Sequence, residues 1–141
     1  MTMRRAEVGR TRDAGWQIGV SKTVDRSVED LWAFLTSPAG TAIWLGADVT
    51  VSPEPGVGYE TADGVRGETR SFTRHRRIRL TWQPPDWDHD TTLQLSVTPA
   101  GDGRARLGVH QERLSNAAER EHQRAHWQSV VNAIVSGLAS T

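Results

Sequence analysis

The amino-acid sequence predicts an α+β fold in which a curved antiparallel sheet of six to seven strands grips one long C-terminal helix. Three observations carry this expectation. The middle of the chain alternates apolar and polar residues with the period of half-buried strands. Two short helical segments stand back to back directly after the first such strand. The final stretch carries one apolar stripe at helical spacing. A single helix cannot cover a sheet of that width laid flat, so the sheet must curl round it, a helix-grip arrangement.

Residues 1–14 are polar and charged without periodicity and are expected to form a disordered N-terminal tail, leaving residues 15–141 as one domain. Trp16, Ile18 and Val20 then alternate with Gln17, Gly19 and Ser21, which predicts a strand. Ser27 stands three residues before Asp30 as an N-cap, and Val28, Leu31, Trp32 and Leu35 follow on one helical stripe. Ser37-Pro38 starts a second helix, with Pro38 suited to its first position, carrying Ile43, Trp44 and Leu45 and ending at Gly46. Residues 48–52 read as a short strand and Pro53-Glu54-Pro55-Gly56 as a turn.

Strands over residues 58–62 and 66–73 are joined by an Asp63-Gly64 turn. Residues 77–82 put Ile78, Leu80 and Trp82 on one face, until Pro84-Pro85-Asp86 breaks the pattern. Leu93, Leu95 and Val97 repeat it. After the Gly101-Asp102-Gly103 turn, Ala105, Leu107 and Val109 form the last inward face. Short joins throughout imply an antiparallel meander. Ser115 or Asn116 caps the final helix, and Asn116 with Glu119 matches capping-box spacing. That helix runs to about Leu138 with Gln123, Trp127, Val130, Ile134 and Leu138 on one stripe, flanked by Val131. Its polar first turns are expected to reach solvent or a cavity mouth.

Composition narrows the function classes. Seventeen Lys+Arg balance seventeen Asp+Glu, so no net field attracts nucleic acid or an anionic membrane. No apolar run spans a bilayer, and no apolar segment follows the basic residues of the N-terminus, so neither membrane insertion nor secretion is expected. Cysteine is absent, which excludes disulfides and thiolate metal sites and makes a cytoplasmic location the expectation. Six tryptophans (Trp16, Trp32, Trp44, Trp82, Trp87, Trp127) spread along the chain. They read as core residues, several of which could wall one cavity with rigid apolar surface.

Five segments carry a family resemblance. They are residues 24–32 (from Val24 through Ser27 to Trp32), Trp44 in the second helix, and the Pro55-Gly56-Val57-Gly58 turn. The others are Arg79-Leu80-Thr81-Trp82-Gln83-Pro84 followed by Thr91-Thr92-Leu93, and Val109-His110-Gln111-Glu112-Arg113-Leu114 leading into the helix with Trp127. In order and spacing, over residues 16–138, they resemble the START-like superfamily, which shares the birch-pollen-allergen fold. Within it, the chain is similar to bacterial relatives of the C-terminal domain of the activator of heat-shock-protein-90 ATPase. The resemblance implies a cavity and members that bind or transform apolar ligands. The 141 residues leave no room for the separate chaperone-binding domain of eukaryotic activators, and no acid–base pair of the cyclase-like enzymes is evident.

Other constellations have plainer readings. Asp86, Asp88 and Asp90 lack the glycine and distal glutamate of a calcium loop and read as a solvated loop, with Trp87 folding back as a lid. His122 and His126 stand one helical turn apart without a clear third ligand, so no metal is expected. His110 is out of phase with Leu107 and Val109 and should face outward. Arg66, Arg70, Arg74, Arg76, Arg77 and Arg79 lack the interleaved aromatics of a nucleic-acid site. They read as salt-bridged outer strand faces or as a docking surface for an acidic protein partner. No nucleophile elbow, phosphate loop or triad spacing is present.

The leading expectation is a module that binds an apolar small molecule between the sheet and the C-terminal helix, without a cofactor. Its lining is expected from Trp32, Trp44, Phe72, Trp82, Leu93, Leu95, Leu107, His126, Trp127, Val130, Val131 and Ile134. A co-chaperone-like interaction module is the second expectation. A cyclase- or hydrolase-type enzyme using His126, Tyr59 or Glu68 is the third.

Overall fold

The computed structural model describes residues 10–11 and 15–141. In chain order the described elements are β1 (Arg10–Thr11), β2 (Gly15–Val24), α1 (Val28–Thr36), α2 (Pro38–Trp44), β3 (Gly58–Glu60), β4 (Arg66–Thr73), β5 (Arg77–Trp82), β6 (Thr91–Pro99), β7 (Ala105–Leu114) and α3 (Ala117–Ala139). The strands form a curved antiparallel sheet in the order β1-β2-β7-β6-β5-β4-β3. This is a meander from β3 to β7, closed by the return of β7 beside β2. The expected tail over residues 1–14 lies outside the described residues, except for Arg10 and Thr11, whose backbones pair with Trp16 and Gly15.

Local chemistry sets the helix ends. Ser27 Oγ accepts the Asp30 N–H at 3.1 Å, and Ser37 Oγ accepts the Gly40 N–H at 3.1 Å. Ser37 also closes α1, because its own N–H donates to the Phe34 carbonyl. One serine therefore ends one helix and starts the next, which fixes the angle between them. Asn116 Oδ1 accepts the Glu119 N–H at 2.8 Å, while Glu119 reaches back to the Ser115 N–H at 3.0 Å. At the far end, Arg26 donates to the carbonyls of Leu138 and Thr141, placing a cation on the negative end of α3. The face α3 buries is Gln123, Trp127, Val130, Val131, Ile134 and Leu138, the stripe read from helical spacing.

Two bulges aim side chains at the interior. In β7 an extra residue falls between the pairs Ile18↔Gln111 and Trp16↔Leu114, with Arg113 at φ 70°. In β4 the pairs Thr69↔Leu80 and Ser71↔Arg79 set two residues against one. This reverses the strand's phase, so that Phe72 falls opposite the inward Ile78. Residues 48–52 differ from expectation, for they form a loop rather than a strand. Pro53 and Pro55 close the segment, and proline cannot donate to a ladder. The loop is instead tied to β4 through Thr69, whose Oγ1 donates to the Ser52 carbonyl at 2.8 Å and whose carbonyl accepts the Gly56 N–H.

Candidate functional site

At one end of the sheet, a cavity of about 470 Å³ lies between α2, the loop after it and strands β4 and β5. Its apolar wall is Trp44 from α2, Val49 and Val51 from the loop, Phe72 from β4 and Ile78 from β5. Thr36, Thr41, Thr50 and Asp48 supply the polar part. The side-chain donors of Thr36, at the exposed edge, and of the buried Thr41 and Trp44 are already engaged. Thr36 Oγ1 donates to the Trp32 carbonyl at 2.9 Å, and Thr41 Oγ1 and Trp44 Nε1 both donate to the Leu35 carbonyl, at 3.1 and 2.9 Å. These bonds lock the wall to the end of α1, so it is preorganised. Trp32 stands behind, edge-on to Phe72 with ring centroids 5.4 Å apart.

Of the residues expected to line a pocket, the structure thus brings Trp44 and Phe72 to this cavity, with Trp32 as backing. Trp82, His126 and Trp127 gather elsewhere, over the first half of α3. Trp82 meets Trp127 edge-on at 5.7 Å, and His126 lies beside both rings. Leu93, Leu95, Leu107, Val130, Val131 and Ile134 lie in the buried core. The space between sheet and α3 where they meet is occupied by side chains, with Trp127, Leu93 and Leu107 all at 0 % exposure. Val49, Val51, Ile78 and Asp48 were not anticipated as lining. For Asp48, Val49 and Val51 the signal was the Pro53/Pro55 pair, which keeps the valine segment off the ladder and free to cover a hole; for Ile78 it was the inward phase of β5.

Around Trp127 the core is polar at one point. Gln111 extends the inward alternation of Ala105, Leu107 and Val109 by one step and is fully buried. Its Oε1 accepts Trp127 Nε1–H at 2.7 Å and Gln123 Nε2–H at 3.1 Å, and its own amide donates to Thr91 Oγ1 at 2.9 Å. Thr91 Oγ1–H in turn donates a hydrogen bond to the Trp82 carbonyl at 2.6 Å. Among the described residues, no buried side-chain polar atom lacks a partner.

The loop between β5 and β6 closes over this cluster. Trp87 packs edge-on against Trp82 at 5.6 Å and stacks flat on His89 at 5.1 Å. His89 Nε2 meets Glu119 of α3 at 2.8 Å, and its Nδ1 meets Asp88 at 3.2 Å. Desolvation lowers the His89 pKa, but the hydrogen bonds and charges of Asp88 and Glu119 outweigh it and raise the pKa above 6.5. With the folded pKa above the unfolded one, this contact stabilises the fold fully below pH 6.5 and loses its contribution as pH rises through the folded value. The melting temperature should therefore fall as pH is raised from 6.5 through the folded value, and His89→Asn should remove that part of the slope. An identical slope in the variant would show that the latch contributes nothing.

Other groups from the sequence reading are placed as follows. Tyr59 donates to the Thr81 carbonyl at 2.6 Å, and burial pushes its phenol far above the ordinary range. Glu68 pairs with Arg70 on the surface. His126 is exposed; desolvation against the indoles, then the charge of His122, lowers its pKa. His110 faces outward, bonded to Gln17 at 2.9 Å. In the arginine run, Arg79 pairs with Glu112 and Arg70 with Glu68. Among the described residues, Arg66, Arg74, Arg76 and Arg77 have no carboxylate partner. Also among these residues, no group of three or more His, Cys, Asp or Glu could hold a metal ion, and no helix is long and apolar enough to cross a membrane.

Comparison with known proteins agrees with this geometry. The crystal structure of DynU16, from the dynemicin biosynthetic locus, superposes with a TM-score of 0.76 at 18% identity, covering 87% of this chain and 47% of DynU16. The chain thus spans about half of that protein's length. CalU16 from Micromonospora echinospora gives a TM-score of 0.75 at 17% identity over 92% of this chain and 80% of CalU16. PFC0360w, an HSP90 activator from Plasmodium falciparum, gives 0.72 at 16% identity over 89% of this chain and 97% of its own. These likenesses show the fold. No curated protein matches the sequence. The sequence model described as activator of Hsp90 ATPase homolog 1-like protein matches residues 25–139, from the end of β2 to the end of α3. The chain belongs to the activator of Hsp90 ATPase homolog 1-like family, on a START-like fold.

Proposed function

We propose that the chain is a small-molecule-binding module holding an apolar ligand in the cavity beside α2. The observation that carries this is a void of about 470 Å³ walled by Trp44, Phe72, Ile78, Val49 and Val51, with the polar groups of its inner wall tied to backbone. Ligand sites run from roughly 300 to 1,000 Å³ and are lined mainly by apolar and aromatic groups with a few placed polar ones. The site expected from sequence lay between the sheet and the C-terminal helix, where side chains now fill the space. The proposal therefore moves the ligand to the α2 end and keeps Trp44 and Phe72 as its walls.

Nile red, an uncharged apolar probe, should bind saturably and shift the indole N–H resonance of Trp44. Val51→Trp places a bulky ring at the cavity wall and should weaken binding by about tenfold or more while the protein stays folded. A Trp44 resonance unmoved by the probe, or a Val51→Trp protein that binds it as tightly, would count against the proposal.

A further inference from the structure

We infer that this cavity selects ligands whose polar end is a cation or strong hydrogen-bond donor, that is, apolar amines in preference to apolar acids. The inference rests on the reading of the cavity as a ligand site and concerns its charge preference.

The charged residue in the lining is Asp48, exposed at the rim. It is held in the left-handed backbone region at φ 62°, on the loop that carries Val49 and Val51. Deeper in, the hydroxyl proton of Thr41 and the indole proton of Trp44 are already donated to the Leu35 carbonyl, and at the exposed edge the Thr36 hydroxyl donates to the Trp32 carbonyl. What those hydroxyls still offer is lone pairs, so the inner polar groups accept and do not donate. The Thr50 hydroxyl at the rim can donate to a neutral acceptor. An anion placed there would nevertheless face the Asp48 carboxylate with no basic residue in the lining to offset it. His75, the basic group joined to this end through Trp32, stands 6.2 Å from the Trp32 ring and is not part of the lining. Rim carboxylate and inner acceptors favour the same end group.

Three two-ring probes of matched shape test this at pH 7: 2-(2-naphthyl)ethylamine, 2-(2-naphthyl)ethanol and 2-naphthylacetic acid. Binding is read from the Trp44 indole resonance. The amine should bind about tenfold tighter than the acid, the sum of one attraction and one repulsion at a partly solvated carboxylate. Asp48→Asn should shrink that ratio to about threefold or less, by weakening the amine and strengthening the acid, and should change the alcohol's affinity less than either. Asparagine tolerates positive φ, so the loop keeps its course in the variant. An acid that binds as tightly as the amine, or a ratio that survives Asp48→Asn, overturns the inference while the ligand site stands. Failure of all three probes to bind removes the ligand site itself and the inference with it.

Discussion

Gly40→Ala should destabilise the protein by about 3 kcal/mol and lower its melting temperature by about 10 °C. A Cβ built at Gly40 would lie 1.8 Å from the Phe34 carbonyl oxygen, 2.7 Å from that carbonyl carbon and 3.1 Å from Leu35 Cα. All three are backbone atoms, so no side chain can swing aside. The Phe34 carbonyl is also pinned, because it accepts both the N–H and the hydroxyl of Ser37. Helix propensity alone would predict the opposite sign, a gain of about 1 kcal/mol for alanine inside α2. The overlap is larger and should win. Thr36, Pro38, Thr41 and Trp44 of the cavity ride on this joint, so probe binding should weaken along with stability. Thermal unfolding followed by circular dichroism decides it. A melting temperature equal to or above that of the parent would mean that α1 and α2 do not meet as described.

Gln111→Leu should cost about 3 kcal/mol for a different reason. The shape is nearly kept, but Trp127 Nε1–H and the Gln123 amide lose their acceptor and Thr91 Oγ1 loses a donor, in a region water does not reach. An orphaned buried donor costs its full desolvation, whereas removing both partners costs much less. Adding Trp127→Phe to Gln111→Leu should therefore give a coupling energy of about 1 kcal/mol in a double-mutant cycle by denaturant unfolding. Strictly additive losses would show that Gln111 is no acceptor for Trp127 in solution.

The two variants also mark where the chain could be read directly and where it could not. Gln123 and Trp127 fall on the α3 stripe at helical spacing, and that stripe is the face the helix buries. Ser27, Ser37 and Asn116 cap the helices they were expected to cap, because a cap depends on residues three apart in the chain. Gln111 lay on the inward phase of β7, yet a polar residue there looks like a surface residue until its three partners from β6 and α3 are in place. Phe72 faces the cavity through a bulge at Arg70 and Ser71 that nothing in the alternation of β4 announces. Residues 48–52 alternate like a strand, but the prolines after them and the hydroxyl of Thr69 hold them off the ladder.

The resemblance over residues 16–138 pointed to the family, and the sequence by itself determined the three helices, their caps and the strands from β3 to β7 that curl round the terminal helix, but not residues 10–11 or 48–52. The helices, caps and strands follow from spacing within a few turns or strands, where neighbours in the chain are neighbours in space. Only the tertiary structure decided which end of the interior is filled and which is open. Two indoles, a glutamine and the leucines of adjacent strands fill the volume beside the first half of α3, and shorter side chains with a proline-bounded loop leave a void beside α2. Packing volume is summed over side chains brought together from distant parts of the chain, so no local pattern records it.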